Sequence, residues 1–341
     1  MAAARKILLL GSSGLLGGAA LEAFLAAGHA VTALSRGNRP LPAHPRLRAL
    51  RADRKAPAAL AAALKGEKFD FTVDFLAYDA ADVENLFAVP DLSPGRLVMI
   101  STGQVYLVTR DQRPPFREAD SQGPLLPEPE AGTRDWHNWV YGMGKRAAEA
   151  ALARLAAARG VPALALRLPV VQGERDGQSS KRLWAWLERM KDGGPVLLPD
   201  GGAGPVRFVH SGDAAAALVR LAGMADWPAL PALNLAQPAE TSLKEFLELA
   251  AGCGGFKPRF APVTAAQLSG AGLDGSCAPY WGRWCSRPDP AAASGLGFTA
   301  RGPGEYLPAV VRAHLSGPPA ASHEGYARRA AELALARRLG F

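Results

Sequence analysis

The sequence predicts an α/β protein, a doubly wound parallel sheet with a smaller C-terminal part. Two observations predict it. Over the first half of the chain, short apolar runs of strand length alternate with stretches of helical pattern, and a glycine-rich turn stands between the first run and the first helical stretch. From about residue 170 onward the alternation loosens into Gly/Pro-rich loops around a few helical stretches, too little for a second full sheet.

Residues 6–10 (Lys-Ile-Leu-Leu-Leu) are almost wholly apolar, as a parallel strand covered on both faces must be. Glycines follow at once, and then a helical pattern through Leu21, Phe24 and Leu25. Further strands are expected at 30–34, 71–76, 97–101 and 162–168, with helices over 56–65, 80–88 and 141–159 between them. Beyond the sheet, helical stretches lie near 180–192, 212–224 and 242–251. Residues 316–322 (Ser-Gly-Pro-Pro-Ala-Ala-Ser) form a linker to a basic amphipathic helix at about 324–339. The expected division is 1–170 for the sheet domain, 171–315 for a mixed part with some sheet completion, and 316–341 for the linker and last helix.

At 341 residues the chain suits one large α/β domain, alone or with a cap. No apolar run approaches the ~20 residues that cross a bilayer, and the N-terminal apolar run is too short for a signal peptide, so a cytoplasmic protein is expected. Cys253, Cys277 and Cys285 match no zinc or redox spacing and read as reduced thiols, with no metal site. The formal charge of +8 suits a polyanionic partner and a phosphate-bearing small molecule equally.

Chemistry enters with Gly11-Ser12-Ser13-Gly14-Leu15-Leu16-Gly17. Glycines between a strand and a helix permit a tight turn and close approach of backbone to a pyrophosphate, which free N–H groups at the helix N-terminus then meet. Gly11, Ser13, Gly14, Leu15, Leu16 and Gly17 are therefore expected to contact a dinucleotide, and the sheet to be Rossmann-type. The second strand ends at Ser35-Arg36, with Arg39 nearby, where a cofactor lacking a 2′-phosphate usually meets an acid. A hydroxyl and a guanidinium there favour NADP(H) over NAD(H), the alternative being that Arg36 is a solvated loop charge. Tyr141 and Lys145 have the i, i+4 spacing that puts phenol and ammonium on one helix face, where the ammonium lowers the phenol's pKa for proton exchange with a carbinol or carbonyl.

Taken together, Gly11-x-x-Gly14-x-x-Gly17, Asp53, Ile100-Ser101-Thr102-Gly103-Gln104-Val105-Tyr106, Tyr141-x-x-x-Lys145, Arg167-Leu168-Pro169 and Phe208-Val209-His210-Ser211-Gly212-Asp213 follow one order. In that order and spacing the chain resembles the extended or atypical short-chain dehydrogenases/reductases, the NAD-dependent epimerase/dehydratase family, over roughly residues 5–225. The resemblance implies that Thr102 hydrogen-bonds the reacting oxygen, that Asp53 faces the adenine, that Leu76 and Ala77 line the adenosine and ribose, and that Pro169 and Val170 border the nicotinamide. Nucleotide-sugar epimerases of the family often carry a diphosphate-binding Arg four residues before the His of the Phe-Val-His segment; here that position is Val206, and Arg207 comes one residue later.

The function expected is hydride transfer, by an NAD(P)-dependent oxidoreductase or epimerase, to or from a hydroxyl/carbonyl small molecule of sugar-like or secondary-metabolite type. Tyr141 is the acid/base, Lys145 orients the nicotinamide ribose, and Thr102 fixes the oxygen. No membrane partner is expected, and a homodimer is left open. A rival reading is a cofactor-binding, RNA-associated protein, since some atypical relatives are RNA-associated and Arg39, Arg46, Arg48, Arg51, Arg54 and Lys55 form a basic run. The intact Thr102, Tyr141 and Lys145 disfavour nucleic acid. Trp136, His137 and Trp139 read as a loop before the Tyr141 helix, and His210 and Asp213 as structural. Tyr280, Trp281 and Trp284 suit substrate stacking and a small aromatic core equally.

Overall fold

In the computed structural model, which describes residues 4–111, 113–178 and 180–341, the first apolar run becomes strand β1 (Lys6–Leu10). Ile7, Leu8, Leu9 and Leu10 are all fully buried, the reason this run has no polar face. It is joined by β2 (Ala30–Ser35), β3 (Leu47–Arg51), β4 (Phe71–Asp74), β5 (Arg96–Thr102), β6 (Ala163–Leu168) and β7 (Ala232–Asn234). The strands lie in the order β3-β2-β1-β4-β5-β6-β7, and every neighbouring pair is parallel. The chain thus winds outward one way from β1 and the other way from β4, the doubly wound arrangement expected. Between β1 and β4 the order reverses, and the crevice beyond the C-terminal strand ends at such a point is where this fold takes ligands.

Helices α1 (Leu15–Ala26), α2 (Pro57–Leu64), α3 (Ala80–Phe87), α4 (Gln104–Leu107) and α5 (Arg134–Arg159) connect the strands. The expected start of α5 at residue 141 is corrected. Thr133 caps the helix by accepting the Trp136 N–H at 3.1 Å, and Gly160 ends it in the left-handed region at φ 62°. Trp136, His137 and Trp139 are therefore helical, and Tyr141 lies two turns inside α5.

By their contacts the described residues form two units that interleave along the chain: a sheet unit of Met1–Val171, Ser211–Ala236 and Ser286–Ala300, and a second unit of Gln172–His210, Gln237–Cys285 and Arg301–Phe341. In the sheet unit the helix Ser211–Gly223 packs on α1, and β7 extends the sheet past β6. The second unit is mainly helical, with an aromatic core in which the Phe208, Phe246 and Tyr280 rings lie 4.5–5.7 Å apart between centroids. Tyr280 thus serves a core, and the Trp281 indole N–H donates to Asp200 at 2.9 Å. The last helix, Arg329–Arg338, docks on its own unit. Glu332 accepts two bonds from Arg189 at 2.6 and 2.9 Å with both side chains 1% exposed, and Arg329 donates to Asp192. No helix among the described residues is long and apolar enough to cross a membrane.

Candidate active site

The turn after β1 is built around three glycines with three different constraints. Gly11 has φ +97° and donates its N–H to Leu34 O at 3.1 Å; a Cβ there would meet Leu76 at 2.6 Å. Gly17 packs so closely that a Cβ would stand 2.0 Å from the Gly11 carbonyl oxygen. At Gly14, the N-cap of α1, a Cβ would meet nothing within 4 Å, so the backbone faces open space. No side chain caps α1 and no acid stands in its first turn, so the N–H groups over Leu15 and Leu16 keep their positive end for an anion. The hydroxyl of Ser12, buried in the same turn, has no hydrogen-bond partner among the described residues. These residues fit a dinucleotide pyrophosphate. Ser12 escaped sequence reasoning because one serine in a glycine-rich turn carries no signal.

At the end of β2, Ser35 accepts the Gly37 N–H at 3.3 Å and Arg36 is exposed. Arg39 reaches back to donate to the Ser13 carbonyl at 3.2 Å. Asp53 follows β3 and accepts the Lys55 N–H at 3.0 Å where α2 begins. Beyond β4, Leu76 touches the glycine turn and Ala77 is fully buried. Asp74 at the strand's end takes the Leu76 N–H at 2.8 Å and pairs with buried Arg54 at 2.9 Å. Burial raises the Asp74 pKa, and the charge of Arg54 opposes that rise. Neither residue of this pair was singled out as a site by the sequence, where Arg54 reads as one of a basic run.

β5 ends at Thr102, whose hydroxyl accepts the Gln104 N–H at 3.2 Å, starting α4. Gly103 N–H donates to Leu168 O at 2.8 Å and ties this end to β6, after which come buried Pro169 and half-buried Val170. On α5, Tyr141 is 36% exposed while Lys145, one turn on, is 2% exposed. The Lys145 ammonium donates to Ala77 O at 2.7 Å and to Ile100 O at 2.8 Å, bridging the ends of β4 and β5. It lies 4.8 Å from the Tyr78 ring centroid and 6.0 Å from that of Tyr141, and the two rings are 6.3 Å apart. Burial pulls the Lys145 pKa down to about 8, against the charges of Asp74 and Glu149.

The glycines inside Tyr141-Gly142-Met143-Gly144-Lys145 explain how α5 comes so close. A Cβ on Gly144 would meet Tyr78 O at 2.6 Å, and one on Gly142 would meet Val108 at 2.7 Å and Gln104 O at 2.9 Å. Two mid-helix glycines, each costing about 1 kcal/mol against alanine, were the sequence signal for this approach and for Tyr78 behind it. Behind α5, Arg167 donates to Glu149 at 2.6 Å, and to Tyr106 OH at 2.9 Å and Ser121 Oγ at 3.0 Å, a buried network bracing the strand ends. Burial pushes Tyr106 up to about 12. All of the residues expected to act or bind lie in the sheet unit, along the C-terminal ends of β1, β2, β3, β4, β5 and β6.

A model of the NAD dependent epimerase/dehydratase family matches residues 7–229. The chain belongs to that family. The motif resemblance is thereby borne out, and NAD is the cofactor the family description names. Among curated relatives, a 2′-dehydrokanamycin reductase of Streptomyces kanamyceticus is 32% identical over 221 residues, covering 63% of this chain and 57% of that protein. Of solved structures, UDP-N-acetylglucosamine 4-epimerase from Methanobrevibacter ruminantium M1 in complex with UDP-N-acetylmuramic acid has a TM-score of 0.70 at 17% identity, covering 92% of this chain and 99% of that one. The Bordetella bronchiseptica enzyme WbmH in complex with NAD+ has a TM-score of 0.68 at 18% identity with the same coverage. Likeness at these identities speaks for the fold.

Proposed function

We propose that this family member is an NADP(H)-preferring oxidoreductase or epimerase acting on a hydroxyl/carbonyl group of a sugar-like small molecule. The observation that carries the reading is the approach of α5 to the ends of β4 and β5, which sets an exposed Tyr141 beside a buried, doubly hydrogen-bonded Lys145. When bound, a nicotinamide supplies the hydride acceptor or donor. Tyr141 exchanges the proton of the substrate oxygen, and the Thr102 hydroxyl orients that oxygen. Lys145 holds the ribose of the cofactor and, through its charge, favours the phenolate form of Tyr141. The turn Gly11, Ser13, Gly14, Leu15, Leu16 and Gly17 takes the pyrophosphate, Asp53, Leu76 and Ala77 the adenosine side, and Pro169 and Val170 the nicotinamide. Ser35 and Arg36 favour a 2′-phosphate. The sheet unit is then the dinucleotide-binding part and the second unit the substrate-binding part.

Two observations narrow the substrate. Val206 stands where many family epimerases hold a diphosphate, and Arg207 is engaged 3.7 Å from Glu240 and donates to Pro238 O at 3.3 Å. Together with the relative named as a 2′-dehydrokanamycin reductase, this favours a sugar-like alcohol or ketone without a nucleotide. The RNA-associated reading loses ground because Arg48 pairs with Glu67, Arg54 with Asp74, and Lys55 with Asp79 and Asp82. Turnover of a panel of sugar and aminoglycoside alcohols and ketones by Tyr141→Phe tests the reading. A loss of roughly 10²–10⁴ in rate with unchanged cofactor affinity is expected; turnover at the parental rate would remove Tyr141 from the chemistry.

A further inference from the structure

The end of β3 carries a third guanidinium toward the end of β2. In the parallel register Ser35 lies beside Arg51, and the Arg51 side chain runs across the following turn. Its Nε donates to the Arg36 carbonyl at 3.1 Å. Gly37 has φ +78°, and a Cβ there would stand 3.1–3.2 Å from Arg51 Nε and Cδ, so the residue at 37 must be small for Arg51 to lie over the backbone. With Nε held, the two terminal nitrogens of Arg51 make no hydrogen bond among the described residues. Neither Arg51 nor Arg36 has an ion-pair partner among the described residues. Arg39 donates to the Ser13 carbonyl of the glycine turn. Asp53, the nearest acid along the chain, is occupied with the Lys55 N–H.

Two arginines, Arg36 and Arg51, thus meet through the Arg36 carbonyl just after Ser35. With neither of these two charges in an ion pair, a dianion bonded by several donors is favoured beside them. We propose that Arg51 is the specificity-determining residue for the 2′-phosphate of NADP(H), its fork pre-set by the Arg36 carbonyl and admitted by Gly37. The proposal rests on the NADP(H) preference proposed above. It adds a residue on a different strand, to which no motif points.

The test uses the full-length protein and two probe pairs that differ by the 2′-phosphate alone, NADPH against NADH and adenosine 2′,5′-bisphosphate against 5′-AMP, titrated calorimetrically. The parental protein is expected to prefer the 2′-phosphorylated member of each pair. Arg51→Met should cut that preference at least about tenfold, the factor carried by one charge-assisted hydrogen bond, while NADH affinity stays within about twofold. Arg51→Lys, which keeps the charge and loses the fork and the Nε bond, should fall between the two. If the parental protein shows no preference, the cofactor reading and this proposal fall together. A preference that survives Arg51→Met overturns the role of Arg51 and leaves the cofactor reading standing. Equal weakening of NADH and NADPH would assign Arg51 to the fold of the turn and also overturn the proposal.

Discussion

Gly14 and Gly17 occupy one turn for different reasons, and substitution should separate them. The open space over Gly14 admits a side chain at an ordinary φ of −86°, so Gly14→Val should melt within a few degrees of the parental protein yet fail to bind NADH or NADPH, because the side chain fills the pyrophosphate's approach. Gly17→Ala drives a methyl to 2.0 Å from the Gly11 carbonyl oxygen and should lower the melting temperature as well as binding. Melting curves and cofactor titrations on both variants check this; a folded Gly14→Val with parental affinity would make the turn purely structural. Lys145 gives a second prediction with a definite sign. Its folded pKa, about 8, lies below the ordinary 10.5, so the ammonium proposed to hold the ribose is lost as pH rises through about 8. Dinucleotide affinity should therefore fall between pH 7 and 9.5 in the parental protein and stay flat in Lys145→Met. Over the same shift the sign for folding is opposite: between about 8 and 10.5 the native state binds fewer protons than the unfolded one, so the Lys145 contribution makes the protein more stable as pH rises.

Elements were legible in the sequence where burial wrote a pattern. β1 and β2 are apolar because both faces are covered, and α3 shows its Asp79 cap and apolar face. β3 (Leu47–Arg51) escaped because it is an edge strand with Arg48 and Arg51 exposed, held by pairing to β2 rather than by an apolar face. The first two turns of α5 escaped because Trp136, His137 and Trp139 read as a loop, whereas the Thr133 cap and the continuing ladder make them helical. At the candidate site, the sequence pattern points to Thr102, Tyr141 and Lys145, but Tyr78, Asp74 and Arg54 come in from other elements through contacts that no local spacing encodes. The last helix shows the same limit. Its amphipathic pattern predicts docking but not the partner, which is the helix Arg182–Lys191 through Arg189 and Glu332. Since both side chains are 1% exposed, Glu332→Ala strands a buried guanidinium and should cost about 3–5 kcal/mol, read as a lowered denaturant midpoint. An unchanged midpoint would mean that Arg189 finds another partner.

At the scale of the whole chain, the sheet unit is completed by segments that return late in the sequence, and this makes a strong prediction about truncation. Six of the seven strands of the sheet and the residues proposed to bind the dinucleotide and to react lie before residue 172, so a chain ending at Val171 holds the proposed cofactor and reaction site. It lacks the groups that satisfy that site's surroundings. Asn234 on β7, fully buried, accepts from Tyr106 OH at 2.6 Å, donates to Phe116 O at 2.9 Å, and gives its N–H to Glu118 at 2.8 Å. Phe116 also takes part in backbone bonds with Arg287 and Asp289, at 2.9 and 2.7 Å. Without those segments β6 becomes an open edge, α1 loses the helix Ser211–Gly223 that covers it, and buried Tyr106 and Phe116 lose polar partners that each cost about 1–3 kcal/mol when left unmade. Several such losses together reach the 5–15 kcal/mol by which a domain is stable at all. Residues 1–171 alone should therefore show no sigmoidal melt by circular dichroism, bind a hydrophobic dye, and bind no NADH. A cooperative melt near the parental temperature with retained NADH binding would instead show that the first six strands and their glycine turn form an autonomous unit.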